Sequence, residues 1–476
     1  MVLGIEFIDY RTEERRALGI EKDVFVRYFD EKLDLKKDLV LPIFIDAHSH
    51  IVNHAVRANW VDLSNVRSKE ALFSLIQEVL GIKSIFLGQN FDESRWPERE
   101  YPTRQELDKV SRDKPIFLLR IDGHMAIVNT CLIEELGLSR GIFKDFEKGI
   151  VVEDNVYLIV QSIIEKYKLK PSISALNDLL LLGIGATADM GSILPPSARL
   201  RERLRQYVET YFYYYIENLE KLLSEGLDKV MSKYGGIITG LKIIVDGSIG
   251  ARTAYLFEPY KDDPSNRGLL LVPEEHLGEL IKLANKLRIQ LAIHAIGDAA
   301  IDIVINAYRH TDPELRHRIE HLEIPHEDHI EKLAKYNIVP SMQPNFIANW
   351  QQRGGLYEHR LGWERAERMN PLKTILTKRG LIAFGSDNMP PGPLYGIYGA
   401  MIHPRENERL SFYEAAECYT HFAAYSMFIE NKLGRLEEGY IASFLVLEKV
   451  DTKNPKEVRE AKILKIFVNG KEVTGG

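Results

Sequence analysis

Eight short segments rich in Ile, Val, Leu and Phe, each closing on a polar residue, constrain the fold of this 476-residue chain more than any other feature. They are Ile43 to His48, Ile184 to Asp189, Val208 to Tyr215, Leu241 to Asp246, Leu291 to His294, His317 to His321, Ile338 to Gln343 and Leu381 to Asp387. Near-continuous apolar runs suit strands buried on both faces. Between them, stretches such as Leu277 to Leu287 and Asp298 to Tyr308 carry apolar residues at spacings of three and four, as helices packed outside a sheet require. Alternation of this kind gives parallel α/β architecture, and eight units fit a TIM barrel.

Barrel chemistry gathers at the C-terminal ends of the strands. There stand His48, His50, Lys242, Asp246, His294, His321 and Asp387. In Asp46-Ala-His48-Ser-His50 the two imidazoles are residues i and i+2, so extended backbone through Ser49 turns both to one ion. Four imidazoles, a carboxylate and a lysine suit a two-metal hydrolytic site. Lysine is the odd member, because its ammonium has no free electron pair. Two readings of Lys242 follow: CO₂ converts it to an anionic carbamate ligand, or it is a salt-bridged lysine inside the barrel. Asp387, after Ile382-Ala-Phe-Gly-Ser, stands either as a proton acceptor beside an activated water or as a helix N-cap.

About 130 residues separate the first two strands, too many for an ordinary connection. An inserted subdomain over 51–182 is expected, with strands at Lys83 to Leu87 and Pro115 to Ile121, lying over the barrel mouth and shaping the substrate pocket. The termini read differently. Ile5 to Ile8, Val24 to Phe29, Ile441 to Leu447 and Ile463 to Val468 read as strands, the last two as a hairpin followed by the turn Asn469-Gly470. Residues 1–42 with 436–476 are expected to form a small β-sandwich, leaving 43–435 as the barrel.

Net charge is −7, with no long basic run, so neither nucleic acid nor an anionic membrane is favoured as partner. A small-molecule substrate is the default, and a homo-oligomer is left open. Without an apolar stretch of about 20 residues or a basic-then-apolar start, a cytoplasmic protein is expected. Cys131 and Cys418 fit neither a disulfide framework nor a zinc spacing and read as core residues.

The motifs FIDAHSH, LKIIVDGSIGART, LAIHAIGD, RIEHLE, SMQPN and IAFGSDN, in that order, resemble the amidohydrolase superfamily, specifically the branch containing N-substituted formamide deformylase. The resemblance runs from about Leu41 to Val468 and includes Gln89 to Pro97 and Arg120-Ile-Asp122-Gly-His124 in the insertion. It implies that His48, His50 and Asp387 hold one divalent metal, zinc by first expectation, and His294 and His321 another. Lys242 as carbamate bridges them, and Asp387 doubles as proton shuttle for a metal-activated hydroxide. The implied activity is hydrolysis of a non-peptide C–N bond in an amide, N-formyl, cyclic amide or amidine-like small molecule. The alternatives are ester or phosphoester hydrolysis at the same metals, or a barrel without catalysis. Pro42-Ile43 replaces the usual Pro-Gly before the first strand, and Ser443 stands where an acidic residue is common.

Around this set, Asp122 and His124 are read as substrate ligands or as turn-stabilising groups. Trp96 is an apolar pocket wall or a core residue. Arg252 and Gln343 are candidate polar contacts to substrate, while His54, His317, His326 and His329 are expected to be structural or on the surface.

Overall fold

The computed structural model describes residues 2–12, 14–216, 222–224 and 226–473. A parallel eight-stranded sheet follows chain order: Phe44–Ser49, Ile184–Met190, Glu209–Tyr215, Ile238–Ile244, Gln290–Ala295, Arg318–His321, Val339–Met342 and Ala383–Phe384. All eight segments expected from the sequence are strands, and with flanking helices such as Glu274–Leu287 and Asp298–Tyr308 they make a TIM barrel. The last strand is the most shortened, because after Phe384 the backbone leaves the ladder to carry Asp387 and Asn388 in left-handed conformations, at φ 53° and 59°.

Among the described residues no strand ladder joins the first strand to the eighth. Polar contacts close that seam instead. The Asp387 N–H donates to the His48 carbonyl (2.7 Å), and the Ser386 N–H and hydroxyl donate to the two carboxylate oxygens of Asp46 (2.9 and 2.5 Å). Burial pushes the Asp46 carboxyl up to about 6, although these donors oppose the shift. Gly385 permits the approach, since a Cβ there would lie 2.3 Å from the His48 backbone nitrogen. Helix His421–Ser426 packs against both edge strands, and Ala423, Ala424 and Met427 join Ile45, Ala47 and Ala383 in one apolar core.

The termini form two four-stranded sheets. One has the order Val24–Val26, Arg15–Glu21, Leu3–Ile8, Glu31–Asp34, the other Lys471–Glu472, Ile463–Val468, Phe444–Leu447, Leu39–Pro42. Ile5, Phe7, Leu18 and Phe25 of the first share a core with Val40, Phe444, Val446 and Phe467 of the second. The hairpin differs from expectation. A helix, Pro455–Glu460, separates Phe444–Leu447 from Ile463–Val468, whereas Asn469-Gly470, both at positive φ, turns Ile463–Val468 into Lys471–Glu472. Barrel and terminal sheets group into one compact unit, 1–51 with 173–246 and 254–476.

Residues 52–172 together with 247–253 form the second unit, so its bounds differ from 51–182, and the segment after the fourth barrel strand joins it. Its five-stranded sheet has the order Ile150–Val152, Met125–Val128, Ile116–Arg120, Phe86–Phe91, Val61–Asp62. The strand expected from Lys83 begins at Phe86 because Lys83 is the C-cap of helix Lys69–Ile82. Cys418 is buried, but Cys131 is partly exposed and so is not a core residue. No helix among the described residues is long and apolar enough to cross a membrane.

His317 is buried, accepts the Leu291 N–H at Nδ1 (3.0 Å) and stacks on Tyr308. Burial lowers its pKa to about 3, against 6.5 for the free side chain. A depressed pKa stabilises the fold above 6.5 and loses that contribution as pH falls toward 3. Chemical denaturation of metal-free protein at pH 7 and pH 5 should show His317→Gln losing roughly 2 kcal/mol less than wild type between the two. Equal losses would remove His317 from the acid sensitivity. At the seam, Gly385→Ala should lower stability by about 3 kcal/mol, seen as a fall in Tm, because backbone rather than a flexible side chain must yield.

Candidate metal centre

The strand-end residues converge inside the barrel unit. His48, His321 and Asp387 are buried, with ligand atoms within 4.8 Å of one another. His50 Nε2 lies 3.0 Å from Asp387 Oδ1, and His48 Nε2 lies 3.7 Å from the same oxygen. The His294 and His321 rings are 4.4 Å apart, and the His48 and His321 rings 4.8 Å. Phe346 stacks on His321 with rings 12° from parallel. His321 therefore groups with His48 and Asp387 as well as with His294.

Backbone strain fixes two of these side chains. His321 has φ 74° and Asp387 φ 53°, in a region where a non-glycine residue costs about 1–3 kcal/mol. Asp387 is not a helix N-cap; the next helix, Pro393–Met401, begins after Gly392. Burial raises the Asp387 pKa, but the surrounding His48, His50 and Lys242 outweigh it and hold the carboxyl below its ordinary value.

Lys242, on the fourth strand, is 2% exposed. Desolvation lowers its pKa to about 8, partly offset by the charges of Glu320 and Asp387.

Two partners of the histidines were missed in the sequence. The buried carboxylate of Glu320 accepts the His48 Nδ1–H at 2.6 Å and pairs with the buried Arg318 guanidinium through two bonds, at 2.6 and 3.0 Å. Asp246, noted only as a strand end, lies 3.5 Å from His294 Nε2 and is fixed by the N–H groups of Tyr255, Ile296 and Gly297. The signal for Glu320 was present in Arg318-Ile-Glu320-His321, where residues two apart share a strand face.

This arrangement can be tested for its fit to a metal ion. An ionised Glu320 cannot donate, so the proton of His48 sits on Nδ1 and Nε2 presents a lone pair; that Nε2 is buried without a hydrogen-bond partner among the described residues. Burial and the nearby Lys242 keep this imidazole neutral, its pKa well below the ordinary value. At His50, Nδ1 meets the Gly191 carbonyl (3.2 Å), so its Nε2 and the Asp387 carboxylate face each other across 3.0 Å and call for a cation or a second proton between them. Neutral imidazoles with free pairs around an ionised carboxylate are the donor set of a divalent ion.

The other named residues lie in the second unit or at the seventh strand. Asp122 accepts from Arg120 Nη1 (2.6 Å) and Ser248 Oγ (2.7 Å), and His124 Nδ1 meets Glu153 Oε2 at 2.6 Å. Burial raises the Asp122 pKa, but the Arg120 and His124 charges hold it below its ordinary value. Arg252 Nη1 reaches Tyr101 Oη at 3.4 Å. Trp96 is a core residue of this unit: it is 2% exposed, packs beside Phe91 and donates its indole N–H to the Val66 carbonyl. Gln343, buried, ends the seventh barrel strand. A second group, His326, Asp328 and His329, lies at the start of helix Glu327–Lys335, but the ring nitrogens of His329 are engaged by the His326 N–H and Asp302.

The amidohydrolase family matches residues 31–191 and 198–474. This chain belongs to the amidohydrolase family. It is 28% identical to "Putative amidohydrolase YtcJ" of Bacillus subtilis (strain 168), over 93% of this chain and 90% of that protein. With N-substituted formamide deformylase of Arthrobacter pascens it shares 25% identity, over 98% of this chain and 92% of the relative. Among solved structures it resembles an uncharacterized metal-dependent hydrolase from Pyrococcus furiosus, at 29% identity and TM-score 0.73, covering 95% of this chain and 100% of that one. The amidohydrolase described here is thus a metal-dependent hydrolase by family, carrying His and Asp side chains placed to hold a divalent ion.

If Glu320 orients His48 for a metal, Glu320→Gln should weaken metal affinity by about 10- to 100-fold, as loss of an outer-shell carboxylate does. Competition with a chelator measures this, and unchanged affinity would separate the Arg318–Glu320 pair from metal binding.

Proposed function

We propose that this amidohydrolase cleaves a non-peptide C–N bond in an amide-type small molecule, with zinc held by His48, His50, His294, His321 and Asp387, and with Lys242 as a carbamate ligand. The observation that carries this reading is the buried Lys242 amine, drawn toward neutrality beside a gathered His and Asp set. Only the neutral amine attacks CO₂. Its nitrogen forms the new N–C bond, one proton leaves, and the anionic product supplies the oxygen donors that an ammonium lacks.

When bound, the divalent ion polarises the substrate carbonyl and makes water acidic near neutral pH. The chain's own residues do the rest. Asp387, held ionised, accepts the proton of the attacking water and returns it to the departing nitrogen, which must leave as a neutral amine. Glu320, itself neutralised by Arg318, keeps His48 in the tautomer that offers Nε2 to the ion. The formamide-cleaving relative supports N-formyl compounds as the first substrates to try. Asp122, His124 and Arg252 are proposed as substrate contacts, with the protein handling soluble small molecules in the cytoplasm.

Elemental analysis on wild type and Lys242→Ala, reconstituted with zinc and bicarbonate, tests the site. About two ions per chain in wild type, falling to one or none in the variant, is the expected outcome for a carbamate-bridged pair. Reconstitution should be faster at pH 8 than at pH 6, where only roughly one lysine in a hundred with this pKa is neutral. Metal content indifferent to the variant would make Lys242 structural. Turnover surviving metal removal, or esters cleaved in preference to N-formyl amines, would overturn the C–N hydrolase reading.

A further inference from the structure

We propose that the carboxamides of Gln343, Asn345 and Asn388 form an uncharged subsite beside Asp387 that binds a carboxamide or ureido group of the substrate. This rests on reading the site as a C–N hydrolase and adds a feature that its substrate must carry.

Gln343 is 2% exposed. Ser341, two residues earlier on the same strand, meets the buried Arg318 guanidinium at 3.0 Å, so strand alternation directs the Gln343 side chain into the barrel at its C-terminal end. Neither the nitrogen nor the oxygen of its amide has a hydrogen-bond partner among the described residues. Asn345, 1% exposed, donates to the carbonyls of Ser386 and Met389, both at 2.8 Å, which fixes the amide and leaves its Oδ1 buried without a donor. Asn388 accepts the His50 N–H at 2.6 Å, which likewise leaves its buried Nδ2 without an acceptor. Because Ser386 and Met389 bracket Asp387, these contacts set the amides of Asn345 and Asn388 beside the carboxylate assigned to proton transfer.

The set offers donors at Gln343 Nε2 and Asn388 Nδ2 and acceptors at Gln343 Oε1 and Asn345 Oδ1. Among the described residues, none of the three side chains bonds a charged group. A buried donor or acceptor left unpaired costs about 1–3 kcal/mol, so a ligand group that satisfies both kinds recovers much of that cost. A carboxamide or ureido group carries an N–H and a carbonyl on neighbouring atoms and can pair with Gln343 at two points. A carboxylate carries acceptors alone and would oppose the two amide oxygens.

The matched substrates N-formylglycinamide and N-formylglycine differ only at this group. For the zinc-loaded enzyme, kcat/KM should favour the carboxamide by at least about 100-fold, the discrimination a site built on paired hydrogen bonds gives. Gln343→Leu and the gentler Gln343→Met should bring the ratio below about 10, mainly through loss on the carboxamide. A ratio is unaffected by partial unfolding or incomplete metal loading. A wild-type ratio near one, or a ratio unchanged in both variants, overturns the subsite. If neither compound is cleaved, the C–N hydrolase reading fails, and thermal shift with propionamide and propionate decides the subsite separately. Stabilisation by propionamide alone, lost in Gln343→Met, supports it; equal effects of the two ligands, or none, overturn it.

Discussion

A guanidinium buried at the centre of the barrel is the constraint on which the rest of the structure depends. Arg318 is fully buried, and such a charge is tolerated only when paired and hydrogen-bonded. Its partners come from four strands: Glu320 on its own, the Ala47 carbonyl on the first (2.7 Å), Tyr213 on the third (3.2 Å) and Ser341 on the seventh (3.0 Å). Removing one member of such a pair leaves an uncompensated charge, typically worth about 3–5 kcal/mol. The pair thus holds the barrel interior in register. The second oxygen of Glu320 also binds His48, so the interaction that satisfies the buried arginine also sets which nitrogen of the first histidine faces the centre.

A related device recurs in the insertion. Arg120, also fully buried, is held by Glu93 through two bonds at 2.9 and 3.1 Å and by Asp122 at 2.6 Å. Asp122 then takes the Ser248 hydroxyl, and His124 is oriented by Glu153, whose backbone is in an unusual positive-φ conformation. Asp122 and His124 are therefore parts of a rigid polar lattice, and any substrate contact they make is made from fixed positions.

Much of this was legible in the chain. Apolar runs ending in polar residues located every barrel strand, because a strand covered on both faces leaves little freedom in composition. The same ends located the histidines, Lys242 and Asp387, since side chains at strand termini have only the barrel mouth to occupy. What stayed hidden depends on pairing across distant strands. Glu320 was visible as a residue of a motif, but its function comes from His48, 272 positions away. Trp96 stood between a pocket wall and a core residue, and only its indole N–H, bonded to a carbonyl inside the core, decides for the latter. Nor does any local pattern show that Gly247–Thr253 associates with residues 52–172, because that grouping follows from contacts rather than from composition.

The seam between the first and eighth strands carries one further consequence. Elsewhere the barrel is joined by ladders of backbone bonds, but here Asp46, Ser386, Gly385 and the His48 carbonyl do that work beside the candidate metal ligands. A sheet opens first where its cross-links are fewest, so the least cooperative edge of this barrel coincides with its candidate metal centre. Fluctuations that part the two strands would scatter His48 from Asp387 while the remaining ladders persist. Loss of activity on warming would then precede loss of secondary structure, and a bound ion spanning the two strands would act as a clasp on the fold as well as a reagent.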